Sequence, residues 1–217
     1  MNLTLLIKLF IFVTITTSVV SAQTIGSGNQ TTIDHTKELS QPKKIAINLG
    51  FYKPFTTNTS YIGRGTQGEF GFDVGVQVFV YKNIFIGTSA GYFFLDVTDT
   101  NLVGDYERSR AFSLALELGY EQPITRHIDI GAGIAPLATT SYRNYISEGR
   151  VRQQRDNASA MVYRAYVSYK FTKYLAFFVN YAFRSDASKI ETAPEIQNKF
   201  NKIQYHNVGF GFRIFIF

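Results

Sequence analysis

The residues in this sequence able to do acid–base or nucleophilic chemistry are few. The 217 residues contain three histidines and no cysteine, so thiolate catalysis, disulfides and cysteine-ligated zinc are absent. His35 falls in a polar, non-periodic stretch and His127 falls at a turn. His206 precedes the last apolar run, with Ser185, Asp186, Ser188 and Glu191 nearby in sequence. A hydrolase needs a nucleophile, a base and an orienting carboxylate within hydrogen-bond reach. The spacing here matches no such pattern, and no His/Asp/Glu spacing points to a metal. The expectation is no enzyme, no catalytic residue, no metal and no cofactor. More informative are charges set singly among apolar residues: Asp73, Glu117, Asp129, Arg164, Arg184 and Arg213. Acids and bases placed this way can form a buried ion-pair network if one face of each segment is enclosed.

The segments that carry them alternate. In Phe70–Val80 every even position is Phe or Val, and the odd ones include Gly71, Asp73, Gly75 and Gln77. In Phe112–Tyr120 every even position is Phe, Leu or Tyr, with Ser113, Ala115, Glu117 and Gly119 between them. A period of two is the period of a β-strand. The bulky face is uncharged and the other is small or polar. That fits a soluble sandwich with its apolar face inward, or a membrane barrel with its apolar face outward and a polar lumen.

Composition favours the membrane. Aromatic residues make up 16% of the chain and charged residues only 18%, against about 25% in ordinary soluble domains. Residues 1–22 read as a secretory signal: Lys8, an apolar core, and Val20 and Ala22 before a cut after Ala22. A retained anchor helix is the alternative, but Lys8 interrupts the run. Residues 23–43 read as a flexible periplasmic arm. Residues 44–217 suffice for about eight spanning strands in one barrel. The predicted strands cover residues 44–54, 68–81, 84–96, 108–121, 127–139, 159–171, 174–185 and 203–217. Short connections at 81–83, 122–126 and 172–173 alternate with long ones at 55–67, 97–107, 141–158 and 187–202, as in outer-membrane barrels.

On this parity the lumen receives Asn48, Asp73, Gln77, Glu117, Asp129, Arg164, Asn180, Arg184 and Arg213. An eight-strand barrel is filled by its own side chains, so an internal ionic network is expected, with a narrow ion path as the alternative. Among the external loops, 141–158 carries Arg143, Arg150, Arg152 and Arg155, which suits anionic lipopolysaccharide or another surface. The net charge of +6 forms no concentrated patch of the kind nucleic acid needs, and no nucleic-acid partner is expected.

The terminal run His206-Asn-Val-Gly-Phe-Gly-Phe-Arg-Ile-Phe-Ile-Phe217 resembles the last strand of bacterial outer-membrane barrels. Tyr81-Lys-Asn-Ile-Phe-Ile-Gly, echoed by Thr125-Arg-His-Ile-Asp-Ile-Gly, is similar to the porin-like outer membrane protein beta-barrel domain family and its eight-stranded OmpX and OmpA-type relatives. The resemblance covers about residues 44–217. It implies an all-β, closed, antiparallel up-and-down transmembrane barrel in a Gram-negative outer membrane. It also implies insertion machinery reading the strand that ends at Phe217, and a monomer among lipid and lipopolysaccharide is expected. It further implies a lipid-facing terminal aromatic. Since Phe210, Phe212, Ile214 and Ile216 share the outward parity, a bulge near Arg213 is expected. The functional expectation is a structural or surface-interaction role, with a low-conductance channel and a lipid A-modifying enzyme as alternatives.

Overall fold

The computed structural model describes residues 43–57, 60–146, 153–188, 194–195, 197 and 200–217. The expected signal peptide and the arm as far as residue 42 lie outside them. Eight strands form in chain order: β1 (Ile45–Thr56), β2 (Thr66–Tyr81), β3 (Ile84–Val97), β4 (Arg108–Pro123), β5 (Ile128–Tyr145), β6 (Gln153–Lys170), β7 (Leu175–Ser188) and β8 (Lys202–Ile216). Each pairs antiparallel with its sequence neighbours, and β8 closes on β1 from Ile45↔Ile216 to Thr56↔Tyr205. Closure leaves no unpaired sheet edge, which hydrocarbon would not tolerate.

The two faces separate as the alternation requires. Phe72, Val76, Leu114, Leu116, Val179 and Phe210 are exposed on the outside, while Glu117, Asp129, Arg184 and Arg213 are buried within. A soluble sandwich would show the reverse. Aromatic rings mark both ends of the apolar band. Tyr81, Tyr120, Tyr169 and Tyr174 lie near the short turns, and Phe70, Phe94, Phe112 and Phe183 toward the long connections. Such girdles belong at membrane–water interfaces.

Two of the three short turns share a local device. Thr125 Oγ1 accepts from the backbone N–H groups of His127 (3.2 Å) and Ile128 (3.0 Å). Thr172 Oγ1 does the same for Tyr174 (3.2 Å) and Leu175 (3.1 Å). Hydroxyl-to-backbone bonds of this kind hold a reversing chain without sheet partners. Lys82, in the two-residue turn between β2 and β3, takes a left-handed φ of 49°, as hairpin turns of this length require. Two short helices stand at the opposite end: α1 (Tyr61–Gly65), capped by the Ser60 side chain, and α2 (Thr100–Val103), capped by Asp99.

Three expectations change. The long 141–158 connection is mostly strand: β5 runs on to Tyr145 and β6 starts at Gln153, so Arg143 and Arg155 lie in a paired ladder. Inward Asn144 donates to Asp156 across this ladder at 2.8 Å and holds the hairpin above the membrane. Arg150 and Arg152 lie outside the described residues. Next, β5 carries a bulge between Ala135 and Ala138, where Pro136 could not have donated to the ladder. The bulge flips parity, so Ala138, Thr140 and Tyr142 face inward. Finally, β8 has no bulge at Arg213. Its register with β1 and β7 is unbroken, because a one-residue slip would turn Arg213 out of its buried bonds into lipid. Phe217 follows the strand, packs on the inward cluster of Ala46, Ala176 and Phe215, and meets Tyr174 edge-on.

Candidate functional site: a filled lumen

The nine side chains that parity assigned to the lumen all point into it. They are joined there by partners at the strand ends, and the groups form three layers.

The layer nearest the short turns centres on Arg213. Its Nη2 donates to Gln77 at 2.6 Å, Nε to Asn48 at 2.8 Å, and Nη1 to Glu121 at 2.5 Å and Ser168 at 3.3 Å. Its planar group lies 4.6 Å from the Tyr166 ring and 5.2 Å from that of Phe215. A fork of fixed donors sandwiched between rings is a task for arginine rather than lysine. Lys170 Nζ donates to Asp129 at 3.0 Å. Lys43 reaches back from just before β1 to contact both Glu121 and Asp129. Tyr166 donates its hydroxyl to Glu121 at 2.7 Å. Gly131 makes room for that ring, since a Cβ there would overlap it. Gly131→Ala is therefore expected to displace Tyr166 and cost about 1–3 kcal/mol, the usual range for overpacking, as a lowered urea midpoint would report.

In the middle layer Arg164 lies 3.2 Å from Asp73 and 3.8 Å from Glu117. A polar cavity of ≈ 30 Å³ sits beside them. Glu117 Oε1, Arg164 Nε and Asn207 Oδ1, buried and without a protein hydrogen-bond partner, belong to residues that line it. Its size and polarity suit one or two ordered waters. In the outer layer Arg184 Nε donates to Asp186 at 2.7 Å, and Asp186 also accepts from Thr140 at 2.6 Å and Tyr142 at 2.5 Å. The Tyr142 and Tyr205 hydroxyls meet at 3.0 Å.

The inventory balances. Lys43, Arg164, Lys170, Arg184 and Arg213 face Asp73, Glu117, Glu121, Asp129 and Asp186. Apolar clusters pack along the same interior: Phe93, Leu95, Tyr142, Ile203 and Tyr205 toward the long connections, and Phe85, Tyr166 and Phe178, with Phe79 against them, beside the Arg213 layer. Lys43, Glu121, Lys170 and Asp186 were missed in the sequence. Glu121 and Lys170 lie inside the expected strands and Asp186 one residue beyond, all on the inward parity of Glu117, Arg164 and Arg184, so continuing that parity to the strand ends would have found these three.

The residues weighed for catalysis are not brought together. His206 faces outward, its Nδ1 2.6 Å from the Tyr181 hydroxyl and its ring stacked on Tyr181. Asp186 is fully buried inside, and Glu191 lies outside the described residues. His127 stacks on Tyr169 at a turn.

The sequence matches no family model, and no curated protein matches it significantly. Solved structures do. Neisserial surface protein A is similar at a TM-score of 0.61 and 10% identity, over 79% of this chain and 97% of that one. A major outer membrane protein from Thermus thermophilus is similar at 0.52 and 9% identity, over 79% and 99%. The chain has the fold of the small eight-stranded outer-membrane barrels. At these identities the shared property is the fold alone. What this barrel does must come from its own lumen and rim.

Proposed function

We propose that the protein is an outer-membrane barrel with a structural or surface-interaction role, closed to ions, that holds its long connections at the cell surface. The observation that carries this reading is the lumen, in which, among the described residues, five cations and five carboxylates are paired and apolar clusters fill the space between them. Buried charges that have exchanged water for one another leave no hydrated path, and opening one would mean breaking pairs whose loss costs several kcal/mol. The arginines of the outer hairpin support a surface that meets anionic lipid or lipopolysaccharide.

The test is conductance. Folded protein in planar bilayers is expected to pass no steady current, and a reproducible unitary current would overturn the reading. The channel alternative has one observation in its favour: Arg164 holds Glu117 only loosely, beside the small polar cavity. If that contact is a gate, Arg164→Ala would open a current; a silent variant removes the alternative.

A further inference from the structure

The ladder places three arginines side by side on the outer wall. Arg110 of β4 is the direct partner of Arg143 of β5, which is the direct partner of Arg155 of β6. Arg110 and Arg143 have the lipid-side parity, since Ser109, Ala111 and Tyr142 beside them are buried, and Arg155, directly opposite Arg143 in the ladder, shares it. Like charges directly opposite one another destabilise a sheet. Among the described residues no carboxylate lies within ion-pair reach of any of the three, whereas Arg108, one outward position along, has Asp96 at 3.9 Å. Arg110 is held in place by ring faces, 4.9 Å from Tyr145 and 5.9 Å from Phe94, and its buried Nε has no hydrogen-bond partner.

The height of this row identifies its surroundings. From Tyr120 in the inner girdle to Arg110 is ten residues of β4, which at ~3.4 Å per residue and a tilt of ~40° spans about 26 Å, close to the ≈ 25 Å apolar band of such barrels. The arginines thus stand where lipid headgroups begin. Below Arg110 and Arg143, a groove of ≈ 480 Å³ runs across β2–β5, with Ala90 of β3 and Thr139 of β5 in its lining beside Leu114, Leu116 and Leu137. Leu114 follows Arg110 by four residues on the same face.

We propose that this wall of β3–β6 binds an anionic lipid of the outer leaflet that carries phosphate monoesters, its phosphate on Arg110, Arg143 and Arg155 and an acyl chain in the groove beneath. Guanidinium forks match phosphate oxygens, and the anion relieves the repulsion that the ladder builds in. The groove favours a lipid over a soluble phosphate, because it supplies contact area that only an acyl chain in the membrane reaches. The proposal rests on the reading of this barrel as an outer-membrane protein.

The test is native mass spectrometry of the folded full chain in detergent with lipid A or phosphatidylethanolamine, with heat-modifiable migration confirming the fold of every variant. Wild type is expected to retain lipid A in preference to phosphatidylethanolamine. Combined Arg110→Gln, Arg143→Gln and Arg155→Gln is expected to weaken lipid A by about tenfold or more, Arg108→Gln to leave it unchanged, and Ala90→Trp to weaken it by filling the groove. Equal retention of the two lipids, or a triple variant that binds lipid A as wild type does, overturns the site. An Ala90→Trp variant with wild-type binding overturns the acyl-chain contact. Added inorganic phosphate that displaces lipid A as fully as the triple substitution would assign the arginines to soluble anion instead. Bilayer conductance is read separately, so an ion current would defeat the closed-barrel reading without touching the lipid result.

Discussion

Arg213→Met is expected to destabilise the folded barrel by about 3–5 kcal/mol, the cost of removing one partner from a buried ion pair. Arg213 is almost wholly enclosed and binds Asn48, Gln77, Glu121 and Ser168 at once. Methionine keeps much of the volume but leaves Glu121 with only Lys43 and Tyr166, and strips Gln77 and Asn48 of their donor. Arg213→Lys separates charge from geometry: a lysine retains the cation but cannot fork to four acceptors, so an intermediate loss is expected. Reversible urea unfolding in lipid vesicles reads both. A loss near zero for Arg213→Met would mean that the inner layer is hydrated and the lumen open at that end.

Val76→Arg and Leu116→Arg are expected to cost about 2–4 kcal/mol each, the penalty for a cation facing lipid at the bilayer midplane. Leu116 lies midway between Tyr120 of the inner girdle and Phe112 of the outer one, and both Leu116 and Val76 are exposed on the apolar wall. Ser113→Ala, inside the same strand, is expected to cost about 1 kcal/mol or less. The contrast between neighbouring faces is the point: a soluble barrel would tolerate arginine at exposed positions and show no such difference. The same vesicle unfolding measurement ranks the three.

Much of this arrangement was legible in the order of the residues. A period of two fixes which side chains share a face, so the inward placement of Asp73, Glu117, Asp129, Arg164 and Arg213 needed no structure. Lys170 and Asp186 obey the same parity as Arg164 and Arg184 but sit at strand ends, where turn residues and strand residues look alike in composition. Lys43 had no periodic signal: it lies before β1, and its placement depends on a long side chain folding back to two carboxylates brought together from β4 and β5. The Ala135–Ala138 bulge was hinted at by Pro136 alone. Without the parity change it makes, Tyr142 would face lipid and Arg143 the lumen. The Arg110–Arg143–Arg155 row was out of reach, because which residues stand opposite across three strands depends on turn lengths and that bulge.

In this barrel hydrocarbon wets the bulky face and the charged face is enclosed. The chain has no tryptophan, so a single one introduced by substitution reports its surroundings without background. Leu116→Trp and Phe178→Trp, in bilayers of lipids brominated on their acyl chains, test the claim most directly. Strong quenching is expected of the tryptophan at Leu116 and little of that at Phe178, which is buried among Phe85 and Tyr166. Quenching of the Phe178 probe with a protected Leu116 probe would contradict the claim.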